Sequence, residues 1–165
     1  MERYDIIKPL KECLKDFVIN FMVKKKQPKM GVIGFSQKAF VFGLNGKFLT
    51  MRRTKTAPSN PLYWDLPGGD VKFGEEPLKS IIREVKEETG LVVNNISLFG
   101  VDAHTTLSGD YWVTLAFRGF ISRGKLLISW EHDLYKWVSI DEFLKLKIPN
   151  KLRKLTRDLK KIETN

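Results

Sequence analysis

Glu84, Glu87 and Glu88 follow one another closely, with Arg83 immediately before them. On a helix, at 100° per residue, the three carboxylates fall inside an arc of roughly 100°. Like charges three or four positions apart destabilise a helix by about 0.2–0.5 kcal/mol per pair, and acids near a helix C-terminus meet its partially negative carbonyls. Arg83, four residues before Glu87, is the obvious local counter-charge, and one guanidinium does not balance three glutamates. Hard divalent cations take oxygen ligands and are commonly held by a few carboxylates together with substrate phosphates. The trio therefore reads as a cation site acting on a phosphorylated compound. A solvated acidic face is the competing reading of these residues alone.

The element that must carry the trio is legible in the same stretch. Pro77 suits a first helical position, and Leu78, Ile82, Val85 and Thr89 recur at spacings of four, three and four. Gly90 supplies a left-handed stop. One amphipathic helix is expected over residues 76–89, with the glutamates beside its apolar stripe.

The order of residues is more specific than the cluster. From Gly69, five residues lead to Glu75 and seven more to Arg83 and Glu84; then come Val85, any residue, Glu87, Glu88, any residue, Gly90 and Leu91. At ordinary residue frequencies this pattern should arise by chance roughly once in ten million chains of this length. It resembles the complete Nudix box, and the lead-in from Trp64 to Gly69 is also similar to that of the Nudix hydrolases. The likeness extends over roughly residues 31–145.

The resemblance implies hydrolysis of a nucleoside diphosphate linked to another group, with Mg²⁺ or Mn²⁺ as cofactor. By position, Glu84, Glu87 and Glu88 would be metal ligands, with the Gly69 carbonyl a further one. Arg83 would orient the glutamates and Glu75 would support the loop. The base differs between branches of the family: Glu84 or Glu88 in some, an acid on a later loop in others. Glu131, six residues before Trp137, stands where that later acid would be. The implied fold is an α/β (α+β) Nudix-type α/β/α sandwich with a mixed sheet, carrying an extra N-terminal helix and a basic C-terminal helix. The box helix would cover one face and the helix after Ser139 the other.

This chemistry is physically coherent. A pyrophosphate bridge repels an anionic nucleophile until cations neutralise its oxygens, and bound cations lower the pKa of water. A nearby carboxylate can then take the proton. The lone Cys13, with only His104 and His132, gives little support for a covalent nucleophile.

Family members specific for ADP-ribose carry a proline about fifteen residues past the box, where Thr105 and Thr106 stand here. The tryptophan- and proline-rich NADH signature is also missing. By elimination a nucleoside triphosphate pyrophosphohydrolase, releasing a monophosphate and pyrophosphate, comes first. The alternatives are a nucleotide-sugar or dinucleoside polyphosphate hydrolase, an RNA 5′ pyrophosphohydrolase, and a non-catalytic nucleotide- or RNA-binding regulator. For substrate contacts, Arg52 stands where the family often meets phosphate. Phe35, Tyr63, Trp64 and Tyr111 are candidates for stacking on a base, against the commoner role of aromatic residues in a core.

The chain has 165 residues, 42% hydrophobic and 29% charged, which suits one soluble domain. A single cysteine forms no internal disulfide, no apolar run reaches a membrane span, and no signal peptide is evident, so a cytoplasmic home is expected. The formal net charge is +10. Much of it sits in Lys24–Lys26 with Lys29, and in residues 145–161, where eight lysines and arginines face Asp158 alone. Solubility and attraction of polyanionic nucleotides account for this without a nucleic-acid partner, which is the less favoured reading.

Residues 5–23 place Ile6, Ile7, Leu10, Leu14, Phe17, Val18 and Phe21 at helical spacing, followed by a lysine-rich linker. We divide the chain into residues 1–30, this helix and linker, and residues 31–165, the catalytic domain. A monomer or a homodimer is compatible with that helix. From Gly31, Phe40–Leu44 and Phe48–Met51 form a hairpin around Asn45–Gly46. Strands are expected over Val92–Val101 and Tyr111–Ile121 with a polar loop, Asp102–Asp110, between them. A short strand within Trp130–Val138 leads into a helix capped by Ser139 and Glu142. A last helix carries Leu152, Leu155, Leu159 and Ile162 on one edge.

Overall fold

The computed structural model describes residues 31–164, so the expected N-terminal helix and its linker lie outside the described residues. The elements are β1 (Ile33–Phe42), β2 (Phe48–Arg53), β3 (Trp64–Asp65), α1 (Pro77–Thr89), β4 (Val92–Thr105), β5 (Tyr111–Arg123), β6 (His132–Val138), α2 (Ile140–Lys145) and α3 (Asn150–Glu163). The sheet runs in the order β3-β2-β1-β5-β4, with β6 paired to β2. β1 and β5 are parallel and the other pairs antiparallel, so the sheet is mixed.

Alternation along β1 creates two cores. Ala39 and Val41 join Leu49, Met51 and Phe117 under Ile81 and Val85 of α1. Phe40 points the other way and meets Phe48, Phe143 and the α3 leucines 152, 155 and 159. Phe40 packs edge-on to Phe48 at 5.0 Å and to Phe99 at 5.4 Å. The result is the expected α/β/α sandwich, with α1 on one face and α2 and α3 on the other. α3 is therefore a structural wall of the domain, through the apolar edge its sequence shows. Among the described residues no helix is long and apolar enough to cross a membrane.

Local chemistry explains the boundaries. α1 starts at Pro77 and ends at Gly90, which adopts φ 71° and donates its N–H to the Lys86 carbonyl. Ser139 and Glu142 form the expected capping box of α2. Gly46 turns the β1–β2 hairpin at φ 70°.

Two expectations need correction. The apolar stripe of α1 is displaced: Ser80, Ile81, Val85 and Thr89 are buried, while Leu78 and Ile82 are 39% and 37% exposed. Helical spacing alone fits both stripes, and the sheet beneath selects the inner one. β4 also runs on through Asp102 and His104 to Thr105, into the expected loop. Its partner β5 starts at Tyr111, opposite Thr105, which keeps the polar residues in register. The true turn is only residues 106–110, closed by hydrogen bonds from the Thr106 and Gly109 N–H groups to the Asp110 and Thr106 carbonyls.

Candidate active site

The site is built where the loop after β3 passes under α1. Gly68 has φ 142°, and a Cβ there would lie 2.1 Å from the Gln37 carbonyl oxygen, so only glycine fits. Its N–H donates to Glu88 Oε2 at 2.9 Å. Gly69 accepts a hydrogen bond from the Gln37 N–H at 2.8 Å. A Cβ at Gly69 would sit 2.7 Å from the carboxyl carbon of Glu84, so the missing side chain is what lets that carboxylate reach the loop.

Arg83 gathers the other acids. Its Nε and Nη2 form a fork on Glu75 at 2.8 and 3.0 Å, and Nη1 lies 2.8 Å from both Glu84 and Glu87. Hydrogen bonds from Arg83 hold the Glu75 carboxyl down at about 2, so Glu75 stays ionised as the anchor of the guanidinium. Lys86 adds a second local cation, donating to the Gly90 carbonyl at 2.7 Å, where it suits the negative end of the helix.

Glu88 is in a different environment. Burial pushes its carboxyl up to about 7; the charges of Asp65 and Glu131 act the same way, against Lys38 and the Gly68 N–H. Glu131 reaches this neighbourhood because the chain before β6 is stitched to the end of α1. Ser129 N–H donates to the Glu88 carbonyl and Leu127 N–H to that of Thr89, both at 2.9 Å. The Glu131 carbonyl accepts from the Thr54 N–H at 3.0 Å.

Beneath the site lies a buried ion pair absent from the sequence reading. Lys38 meets Asp65 at 2.8 Å, both side chains at most 10% exposed, and also donates to the Leu66 carbonyl at 3.1 Å. Arg53 approaches Asp65 at 3.4 Å. Burial opposes ionisation of Asp65, but Lys38, the Leu66 N–H and Arg53 outweigh it and hold the carboxyl below its ordinary range. His132 is buried nearby, and burial pushes its imidazole down to about 4. A lysine inside an apolar strand was the available signal for this pair.

The remaining sequence candidates are spread out. Arg52 is taken up by Asp133, with Nε to Oδ1 at 2.8 Å and Nη2 to Oδ2 at 3.0 Å, so it braces the chain just after Glu131. Trp64 is 8% exposed inside the larger core, with Lys136 4.9 Å above its ring. That burial withdraws its faces from any base. Tyr111 is 44% exposed at the start of β5, in register with Ile33 of β1. An open cavity of about 530 Å³ lies between the end of β4 and the start of α3, lined by Asn60, Asp102, His104, Asn150, Lys151 and Lys154 among others. Burial lowers the pKa of Lys151, as does the like charge of Lys38, while Asp65, Asp70 and Asp102 oppose them. The sequence reading named none of these cavity residues as binding groups.

Among the described residues no three carboxylate, imidazole or thiol side chains are drawn around one point. Arg83 holds Glu84 and Glu87, and the Gly68 N–H holds Glu88. The three carboxylates and the Gly69 carbonyl are nonetheless all oxygen donors, and the missing side chain of Gly69 lets Glu84 approach the loop. Both features fit a hard divalent cation.

Comparison with known proteins agrees with the geometry. The family described as NUDIX domain matches residues 35–159. A MutT-like protein of Streptomyces ambofaciens is 36% identical over 98 residues, which cover 59% of this chain and 58% of that one. This chain thus spans little more than half the length of that relative. A putative 8-oxo-dGTP diphosphatase of Bacillus subtilis is 29% identical over 123 residues, 73% of this chain and 78% of that one. Among solved structures, a MutT protein from Methanosarcina mazei superposes with a TM-score of 0.71 at 28% identity, covering 82% of this chain and 99% of that one. With the match extending through both faces of the sandwich, the chain belongs to the NUDIX domain family, the hydrolase family whose box it carries from Gly69 to Leu91.

Proposed function

We propose that the protein hydrolyses a phosphoanhydride bond in a nucleoside diphosphate derivative, foremost a nucleoside triphosphate, giving a monophosphate and pyrophosphate. The observation that carries the reading is the convergence of Arg83, Glu84 and Glu87 beside a Gly68–Glu88 contact on one end of α1. Glu84, Glu87 and Glu88, with the Gly69 carbonyl, would hold Mg²⁺ or Mn²⁺. A cation held there supplies charge neutralisation on the phosphate oxygens and polarises phosphorus.

The protein's own groups do the rest. Arg83 aligns Glu84 and Glu87, and Glu75 fixes Arg83. The Gly68 N–H orients Glu88. Among the described residues the Glu131 carboxylate forms no ion pair within 4 Å, which leaves it the acceptor for the proton of the attacking water. Arg52, through Asp133, braces the chain just after that acid. The cavity beside Lys151 and Lys154 takes the nucleoside, and its lysines draw the polyanion in. The diphosphatase name of the Bacillus subtilis relative supports a triphosphate over ADP-ribose.

The test is a panel of nucleoside triphosphates, 8-oxo-dGTP, ADP-ribose and dinucleoside polyphosphates with magnesium, reading phosphate and pyrophosphate separately. The reading expects pyrophosphate from at least one triphosphate. Absence of anhydride cleavage across the panel would overturn it.

A further inference from the structure

The sheet carries more apolar face than α1 covers. By alternation along β1, Ile33 and Phe35 point to the same side as Ala39 and Val41, the side on which α1 packs. Phe35 stands level with Val113 of β5, and Val113 with Ala103 of β4; in the next row Leu115 stands level with Val101. α1 shields only one end of this face, where Ile81 and Val85 lie over Ala39, Val41 and Phe117. At the other end Phe35 is 47% exposed, Val101 50% and Ile33 65%. An open cavity of about 480 Å³ borders these rows, lined by Phe35, Val71, Phe73, Pro77, Trp112 and Leu115 among others. Pro77 is the first residue of α1, so the cover stops at the cavity.

Such a face is unusual for this part of the sheet. β1 and β5 are parallel neighbours, and parallel strands are normally buried on both sides. Contiguous apolar surface left open marks a docking site. The chain itself holds an occupant of matching kind in residues 5–23, outside the described residues. At 100° per residue, Ile6, Leu10, Leu14, Phe17, Val18 and Phe21 occupy an arc of roughly 120°, the width of a stripe that faces a core. From Ile6 to Phe21 such a helix is about 22 Å long. Residues 24–30 then link it to Gly31 and can span at most about 25 Å. The link ends beside the bare rows, since the Val32 N–H donates to Asp110 Oδ1 at 3.0 Å and the Val32 carbonyl accepts from the Tyr111 N–H at 2.9 Å. So short a tether holds the segment at roughly millimolar effective concentration, well above that of a second copy in dilute solution.

We infer that residues 5–23 supply the missing cover: a helix of this same chain, its apolar stripe laid across β1, β5 and β4 against Phe35, Leu115 and Val101. There it closes the cavity beside α1 and backs Val71 and Phe73. Those two belong to the loop that brings Glu75 to Arg83, so the segment braces the anchor of the guanidinium. The contact is independent of the reaction proposed above, and its test reads no turnover.

A nitroxide on Cys13, the single cysteine, tests the docking in the full chain by nuclear magnetic resonance. On a helix Cys13 falls at the margin of the stripe, which leaves the label room beside the contact. In isotope-labelled protein the amide signals of Phe35, Val101 and Val113 should be strongly broadened. Those of Asn45 and Gly46, past the far end of β1, should stay sharp. Leu14→Asp with Phe17→Asp on the segment, and separately Phe35→Lys with Val101→Lys on the sheet, should each abolish the broadening while the rest of the amide spectrum keeps its dispersion. Mixing spin-labelled protein of natural isotope content with isotope-labelled protein that carries no nitroxide should leave every signal sharp. Broadening of the patch in that mixture would assign the face to a second copy and overturn the intramolecular cover. A patch left sharp in the doubly labelled protein, or broadening that survives both pairs of substitutions, would overturn it as well.

Discussion

At the residue scale, the site depends on how differently it treats acids that are adjacent in sequence. Glu84 and Glu87 share Arg83, whereas Glu88 turns to the Gly68 N–H in a buried setting. This division was not legible beforehand, because spacing shows which side chains share a helix face but not which loop atoms meet them. The glutamates themselves were legible, since their cost to the helix is local. The Lys38–Asp65 pair was hidden because its partners sit on separate strands and meet only once the sheet forms. Gly69→Ala tests the local geometry. Its Cβ would stand 2.7 Å from the Glu84 carboxyl carbon, forcing that side chain aside. Turnover should fall at least tenfold, with the melting temperature lowered by only a few degrees, as steady-state kinetics and thermal denaturation would reveal.

At the element scale, α1 was legible to the residue at its C-terminal end because proline and glycine have specific backbone requirements. Its inward side was not, because two overlapping apolar stripes satisfy the same period. β4 was read too short for a related reason: Asp102 and His104 are polar, yet pairing with β5 holds them in a strand. The apolar edge read on the last helix is buried at Leu152, Leu155 and Leu159, which pack with β1 and β2 side chains, while Ile162 is left 43% exposed. Leu155→Ala should therefore cost about 2–5 kcal/mol, the usual range for emptying a leucine site in a core. Urea unfolding followed by circular dichroism measures this. A loss below about 1 kcal/mol would mean that α3 is peripheral after all.

At the scale of the whole molecule, the sandwich was legible from the box and the alternation of strands and helices, while its response to pH comes from groups that only the fold buries. His132 takes a proton near 6.5 when unfolded but only near 4 in the folded chain. Between those values the unfolded chain binds more protons at this side chain, so His132 lowers stability as pH drops from 6.5 to 4, while Glu88, pushed up to about 7, acts in the opposite sense over much of the same window. Asp65, held below its ordinary range, adds to the loss at still lower pH, as its carboxylate is protonated through its folded value. Chemical denaturation at a series of pH values should show the histidine's part as the difference between the wild type and His132→Asn, with the wild type losing ground to the variant as pH falls from 6.5 to 4. The central claim remains that Glu84, Glu87 and Glu88 hold divalent cations against a phosphoanhydride. Its most direct test is anomalous diffraction from crystals grown with Mn²⁺ and an uncleavable triphosphate analogue. The account predicts manganese peaks between the three carboxylates and the analogue's phosphates; manganese located elsewhere, with the analogue bound in place, would contradict it.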